Sequence, residues 1–547
     1  MPKISQLDPA TRAALKEAAG VNALATSAAF AYSTRAEIAA IASPSGVAML
    51  REAGRQGLFI FDSSNLSAEV ASDPLQGIYL PPANAPSGGA GAWVRIVNDG
   101  RYLAEWFGLA PGNTDAQDIL SAVEAGAPSG STIVLPGYAI NLTAPFYAKK
   151  SDISWLGQGY ATHIKCMWAT LVDSTFSLAG NKQSARRIRF TGRYHNLNSG
   201  GDFCLAICSN ISPDTGVAQH DITVEDCWFE DASEGIIIFQ DRQGNDPENN
   251  KRVRNVRIAN NRFRNLDYQA IAVWGVDGAT LENNEITMLP RRLDPPNAFC
   301  PAVRILGAEN VVVKGNRIWA GGTADGTGGV SAIYIAQAAV GGSSNLECRN
   351  VTVSGNSIAN AHMAFIISGC HGLLEISRNH ISNPSGATNN LNVFSMVGGA
   401  GIYDRVSIRD NHISGFKQLL SMDGGGAGHL VVRRNLFVSA GGTNLQTIVI
   451  QCFGVPLQFV EVLENTFAGG SHDGFVVATG TVAGDQLWVF DNFFPEGAAT
   501  YGPIQISGGG AKYNARLATA GDSGYGSNRS RAYPAINTHA LPPAAIA

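Results

Sequence analysis

The chain has 547 residues, of which 15% are charged and 62 are glycine, and its formal net charge is −5. Charge below the usual ~25% and glycine above the usual ~7% suit a tightly turning β architecture better than a helical one. No Lys/Arg-rich run supplies the basic footprint of a nucleic-acid binder, and no apolar run reaches the ~18 residues of a membrane span, so neither nucleic acid nor membrane is an expected partner.

The opening segment "MPKISQLDPATRAALKEAAG" has no continuous apolar core of the secretory kind, which points to synthesis and assembly in a cytoplasm. Within it, "DPATRAALKEAAG" predicts a helix with Asp8 as N-cap, Pro9 in the first turn and Gly20 as the stop. "TRAE" at 34–37 has the spacing of a capping box. Short strands are expected at "GLFIF" (57–61), "GIYL" (77–80) and "AWVRIV" (92–97), parted by Pro/Gly/Ser-rich turns. Residues 1–100 therefore predict a small α/β head with no concentration of catalytic residue types, and attachment is its expected task. Residues 101–150 follow as a neck: Asp115 is placed to cap a short helix presenting Ile119, Leu120 and Val123, and "STIVLPGY" reads as strand and turn. A helix there would shield the first open edge of a long β region.

From residue 222 one outline returns ten times: "ITVEDCWF", "VRIANNRF", "ATLENNEI", "VVVKGNRI", "VTVSGNSI", "LEISRNHI", "VSIRDNHI", "LVVRRNLF", "VEVLENTF" and "LWVFDNFF". Positions one, three and eight are apolar, with Ala279 the small exception, and the sixth is Asn in nine copies: Asn261, Asn284, Asn316, Asn356, Asn379, Asn411, Asn435, Asn465 and Asn492. The spacing between asparagines never falls below 23 residues (284 − 261) and varies only upward, as a fixed unit with optional insertions would. Alternation at positions one and three marks a strand with one buried face, and the phase break before position eight marks a corner. Asn suits the corner because it tolerates the left-handed region and its amide bonds backbone. Between copies lies a third apolar strand, as in "GIIIF", "AIAVW", "AVRIL", "AIYIA" and "AFIIS". Three short strands in about 23 residues make one coil of a parallel β-helix, with the asparagines stacked at the ~4.8 Å strand spacing. Leucine-rich and propeller repeats do not fit, because no copy carries a regular helix or a four-stranded blade. The β-helix is expected over 151–500, followed by an extended segment over 501–547.

The eight cysteines are scattered through apolar stretches without a CxxC pair and read as buried reduced thiols. No metal or other cofactor is expected.

The run "GRQGLFIFDSSNLSAEVASDPLQGIYLPPANAPSGGAGAWVRIV", then "AEWFG", a capping helix, "STIVLPGY" and a pectin-lyase-like β-helix, resembles bacteriophage tailspikes and tail-fibre polysaccharide depolymerases over roughly residues 30 to 500. The resemblance implies a right-handed single-stranded parallel β-helix and a homotrimer. It implies attachment of the N-terminal module to the baseplate or tail of a virion, and a place in the virion tail acting at the host cell surface. It also implies a capsular, exopolysaccharide or O-antigen chain as partner. An all-β scaffold of this kind does not dictate chemistry, so a non-catalytic receptor-binding adhesin and a polysaccharide lyase or epimerase stand beside a hydrolase.

Outward positions of the third strands are the expected sugar track. If Ile271 and Val273 point inward, Ala272 and Trp274 point out, and the same count turns Phe239, Arg304 and Tyr334 outward as one vertical strip. Aromatic faces suit sugar rings, and Arg suits an acidic substituent. Nearby carboxylates are Glu230, Asp231, Glu234, Asp241, Asp267, Asp277 and Asp294. Acids on adjacent rungs would stand about 5 Å apart, the retaining spacing, and acids two rungs apart about 9 to 10 Å, near the inverting limit. Glu234, Asp241 and Asp267 are the expected catalytic set, with glycosidic hydrolysis by paired carboxylates. A lyase would instead use a base such as Tyr268, with Arg304 neutralising a uronate.

Overall fold

The computed structural model describes residues 31–168, 173–192, 202–208, 219–239, 252–289, 301–321, 331–340, 344–383, 392–397, 403–423, 427–439, 448–452, 459–468, 476–480, 487–490, 492 and 504–507. The helix expected over 8–20 and most of the segment from 501 lie outside them. Contacts divide the chain into two units: Met1–Ala169 with Gly180–Arg189, and Thr170–Ala179 with Phe190–Ala547.

In the first unit, the apolar stretches between turns form a five-stranded sheet. Its strands are β1 (Ala31–Tyr32), β2 (Val47–Leu50), β3 (Gly57–Asp62), β4 (Tyr79–Leu80) and β5 (Ala92–Arg95), in spatial order β1-β2-β3-β5-β4. Only β1 and β2 run parallel. Helix α1 (Arg35–Ala39) starts at the capping box: Thr34 Oγ1 accepts from the Glu37 N–H, and the Glu37 carboxylate reaches past the cap to the Ser33 N–H at 2.7 Å. Its Ile38 packs with Ala48, Leu50, Phe59, Leu80 and Trp93. Beside this core the Arg95 guanidinium is buried, donating to the carbonyls of Gly77, Gln56 and Arg55 and lying over the rings of Phe59 and Trp106. Burial, then the nearby Arg55 charge, lowers its pKa to about 9. A short helix follows at α2 (Ser67–Ser72), and the neck helix is α3 (Gln117–Gly126). The N-cap of α3 is Ala116 rather than the expected Asp115, which lies one residue earlier and accepts from the Gln117 N–H and, at 2.7 Å, from Thr143 Oγ1. Leu120 and Val123 are fully buried, each worth roughly 1.5 to 3 kcal/mol, while Ile119 is half-buried. Strands Arg101–Leu103, Thr132–Val134, Ser154–Leu156 and Ser184–Arg186 then pair in parallel register.

The second unit is built from the repeated outline. Position one of each copy pairs with position one of the next, from Ile222↔Val256 through Ala279, Val311, Val351, Leu374, Val406, Leu430 and Val460 to Leu487. The apolar eighth positions form a second inward column, Phe229↔Phe263↔Ile286↔Ile318↔Ile358↔Ile381↔Ile413↔Phe437↔Phe467. The third strands supply another, including Ile236↔Ile271↔Val303↔Ile333↔Phe365↔Phe394. The interior is therefore three stacked ladders of like residues, and the rings of Phe190, Phe229 and Phe263 lie nearly parallel at centroid spacings of 5.3 and 4.9 Å.

The asparagine ladder runs unbroken from Asn261 to Asn492. Each side-chain Oδ1 accepts both the backbone N–H and the Nδ2 of the preceding asparagine, at 2.9 to 3.1 Å. Each Nδ2 also donates to a position-three carbonyl of the preceding coil, as Asn284 does to Ile258. The ladder asparagines are not themselves left-handed. That conformation falls to position five: Asp226, Asn260, Asn283, Gly315, Gly355, Arg378, Asp410, Arg434 and Glu464 all have φ between 52 and 65°. The expectation that one residue turns the corner and carries the ladder thus divides between neighbours. The turn needs a particular φ, whereas the ladder needs an amide pointing inward.

Candidate functional site

The third strands and the corner before them carry the expected site. Ile271 and Val273 are fully buried, and Phe239, Trp274, Arg304 and Tyr334 are half-buried on the outer side. They form two columns rather than one strip. Phe239 and Trp274 stand together with ring centroids 6.2 Å apart, and Phe203 packs edge-on to Phe239 at 5.7 Å. Arg304 pairs in register with Ala272 below and Tyr334 above, while Trp274 pairs with Leu306. The Arg304 guanidinium sits 5.9 Å from the Tyr334 ring centroid, and its buried Nε has no hydrogen-bond acceptor among the described residues. The offset of two residues follows from the inward ladder Ile271↔Val303, which fixes Trp274 three places and Arg304 one place beyond paired residues.

Glu234 and Asp267 occupy one corner on adjacent coils. Between the pairs Ala232↔Leu266 and Glu234↔Gln269 the upper strand carries one extra residue, so Asp267 and Tyr268 stand in a bulge beside Ser233 and Glu234. Both carboxylate side chains are nearly sealed from solvent, 3% exposed each, while Tyr268 is half-buried. Glu234 is in register with Gln269, two residues past Asp267, so the ~4.8 Å coil spacing is the least by which their backbones are parted. Gly235 makes this corner possible: a Cβ there would lie 2.5 Å from the Ala270 carbonyl oxygen and 2.7 Å from the Phe263 ring. Asp241 and Asp294 lie outside the described residues. Asp231 and Asp277 are engaged in corner bonds, accepting from Asn265 at 3.1 Å and Asn310 at 2.9 Å, and Glu230 is buried. Among the described residues there is no cluster of three or more His, Cys, Asp or Glu suited to a metal ion.

One outward face escaped the sequence reading. Position seven of the outline, directly after each ladder asparagine, places Trp228, Arg262, Glu285, Arg317, Ser357, His380 and His412 in one column. Two residues further along, Glu230, Arg264, Thr287 and Trp319 form the next. The sequence signal is that position seven varies freely, from Arg, Glu, Ser and His to Trp, Leu and Phe, while position six is Asn in nine copies and position eight is Phe or Ile in all ten.

Residues 215–403, about a third of the chain, match the family model for a right handed beta helix region. The repeats build a right-handed β-helix. No curated protein matches the sequence of this β-helix chain. The enzymatically active domain of tailspike protein 2 from bacteriophage CBA120 is similar in structure at 14% identity and a TM-score of 0.49, covering 80% of this chain and 59% of its own. A tailspike protein of Acinetobacter baumannii bacteriophage Fri1, described as a capsular polysaccharide depolymerase, gives 12% identity and a TM-score of 0.44, with 81% and 76% covered. The Streptococcus pneumoniae surface protein and adhesin PfbA gives 12% and 0.43, with 75% and 99% covered. The β-helix chain thus spans about six-tenths of the length of the first of these. Among the described residues, no helix is long and apolar enough to cross a membrane.

Proposed function

We propose that this protein is a phage tailspike that binds a bacterial surface polysaccharide and hydrolyses its glycosidic bonds. The observation that carries the reading is the placement of two sealed carboxylates, Glu234 and Asp267, on adjacent coils, in the two strands that end at the Phe239–Trp274 ring pair. Acting as a retaining pair, which needs carboxyl groups about 5 Å apart, one carboxylic acid protonates the leaving oxygen and the other attacks the sugar carbon. The rings at the strand ends hold sugar faces against the strand surface, and Asp241 completes the proposed acid set. Residues 1–100 act as the attachment head in this reading, 101–150 as neck and cap, 151–500 as the binding and catalytic β-helix, and 501–547 as a contact segment of a homotrimer. Incubation with host polysaccharide should release reducing ends. Glu234→Gln and Asp267→Asn should each abolish that release while leaving assembly intact; full activity in both refutes the site.

A second reading has its own support. Arg304, with a buried Nε lacking an acceptor among the described residues and its guanidinium beside Tyr334, is the kind of group that neutralises a uronate during elimination. Products absorbing near the ultraviolet edge, lost in Tyr268→Phe but not in Glu234→Gln, would assign a lyase. Retention of polysaccharide without any cleavage would assign an adhesin.

A further inference from the structure

The face behind the asparagine ladder carries charge that the acid pair does not use. Trp228, Arg262, Glu285 and Arg317 are consecutive vertical neighbours, and Arg264 and Trp319 lie in the column two residues along. Arg262, Arg264 and Arg317 are exposed, and both tryptophans are half-buried. One exposed-face carboxylate, Glu285, is shared by Arg262 and Arg264 at the long distances of 3.5 and 3.6 Å, and Arg317 has no ion pair among the described residues. Glu230, the other acid of these columns, is buried. At the surface three guanidinium groups therefore face one carboxylate, on a chain whose net charge is −5.

We infer that this face binds a negatively charged stretch of polysaccharide, one bearing carboxylate or similar acidic groups, at a subsite separate from the acid pair. The inference rests on the polysaccharide reading above and deepens it by assigning the sign of the chain. Three features carry it together. Arg presents a planar fork that meets a carboxylate with two parallel hydrogen bonds, and its weak hydration suits it to surface recognition. Arg262 and Arg317 are two coils apart, about 10 Å, so a polymer running along the helix axis meets both. Trp228 and Trp319 stand half-buried at the two ends of the patch, and aromatic side chains suit sugar rings. A neutral chain would gain only the rings.

Native gels containing polygalacturonate, a uronate polymer, or dextran, a neutral one, test this on the full chain. Polygalacturonate should retard the protein and dextran should not. The triple variant Arg262→Gln/Arg264→Gln/Arg317→Gln should weaken retardation roughly tenfold, as expected for three exposed charge contacts, and a triple Arg→Lys variant should recover part of it. Trp319→Ala should weaken it independently of salt. Sedimentation of the triple variant should match the unmodified protein. Absence of retardation by polygalacturonate, equal retardation of parent and triple variant, or a smaller sedimenting species in the variant, which would make the face a contact between copies, each overturns the inference. Binding lost in the triple variant, in a protein that cleaves no polysaccharide, upholds this subsite and sinks the depolymerase reading. Cleavage abolished by Glu234→Gln with binding unchanged in the triple variant does the reverse.

Discussion

Replacing Asn356 by Ala removes one rung from the middle of the ladder, and its cost follows from the bonds lost. The amide is 1% exposed. Its Oδ1 accepts from the Asn316 N–H and Nδ2, both at 2.9 Å, and its Nδ2 donates to Asn379 Oδ1 at 2.9 Å and the Val313 carbonyl at 3.0 Å. Asn316 Nδ2 keeps the Leu281 carbonyl, and Asn379 Oδ1 keeps the backbone N–H of residue 356. The Asn316 N–H and the Val313 carbonyl lose this partner, and each buried group so deprived costs about 1 to 3 kcal/mol. A destabilisation of about 3 kcal/mol is expected, with Asn356→Asp at least as costly because an oxygen would then face Asn379 Oδ1 and the Val313 carbonyl. Asn350→Gly is the reference: Asn350 is exposed with φ +51°, which glycine adopts freely, and about 0.5 kcal/mol or less should be lost. Unfolding of stacked coils need not be two-state, so hydrogen exchange at the Asn316 amide is measured beside the guanidinium midpoint. That amide should exchange about 100-fold faster in Asn356→Ala. Equal midpoints and exchange rates in Asn356→Ala and Asn350→Gly would refute the ladder as a source of stability.

Two further outcomes are open to measurement. Burial, then the charges of Arg189 and Lys165, holds the His163 imidazole down at about 4 against an ordinary 6.5. Between those values the unfolded chain binds a proton that the folded one does not, so this contribution is complete above pH 6.5 and is lost as pH falls towards 4. Because the ring is partly exposed, about 1 to 2 kcal/mol is expected rather than the full shift, and His163→Gln should flatten the fall in unfolding free energy from pH 7 to 4 by that amount; parallel curves count against it. Gly235→Ala places a methyl group against the Ala270 carbonyl and Phe263. It should cost about 1 to 3 kcal/mol in thermal unfolding and displace Glu234, lowering kcat more than it raises KM, and a variant with parental Tm and kcat would show that the corner yields freely.

The β-helix was legible because its demands recur with constant chemistry. Inward positions need apolar side chains and the ladder needs an amide, so ten copies reinforce one pattern. The turn is harder to place, because the nine coils satisfy a left-handed φ with Asn, Asp, Gly, Arg or Glu, so no single residue type marks position five as the ladder amide marks position six. Phe239, Trp274, Arg304 and Tyr334 were recognised as outward, since alternation alone decides that. Their separation into two columns depended on which inward residues pair, a long-range fact that a strand read singly does not contain. Position seven was overlooked for a related reason: solvent-facing residues are under no common packing demand, so Trp228, Arg262, Glu285 and Arg317 share no chemistry that would mark them as neighbours.

Spacing between ladder asparagines ranges from 23 residues, at Asn356 to Asn379, to 40, at Asn316 to Asn356, yet the bonds across both intervals are the same 2.9 Å. Chain inserted at a corner therefore leaves the scaffold's geometry untouched. A molecule constructed in this way can exchange whole recognition segments by recombination, gaining or losing seventeen residues at one coil, without having to learn again how to fold.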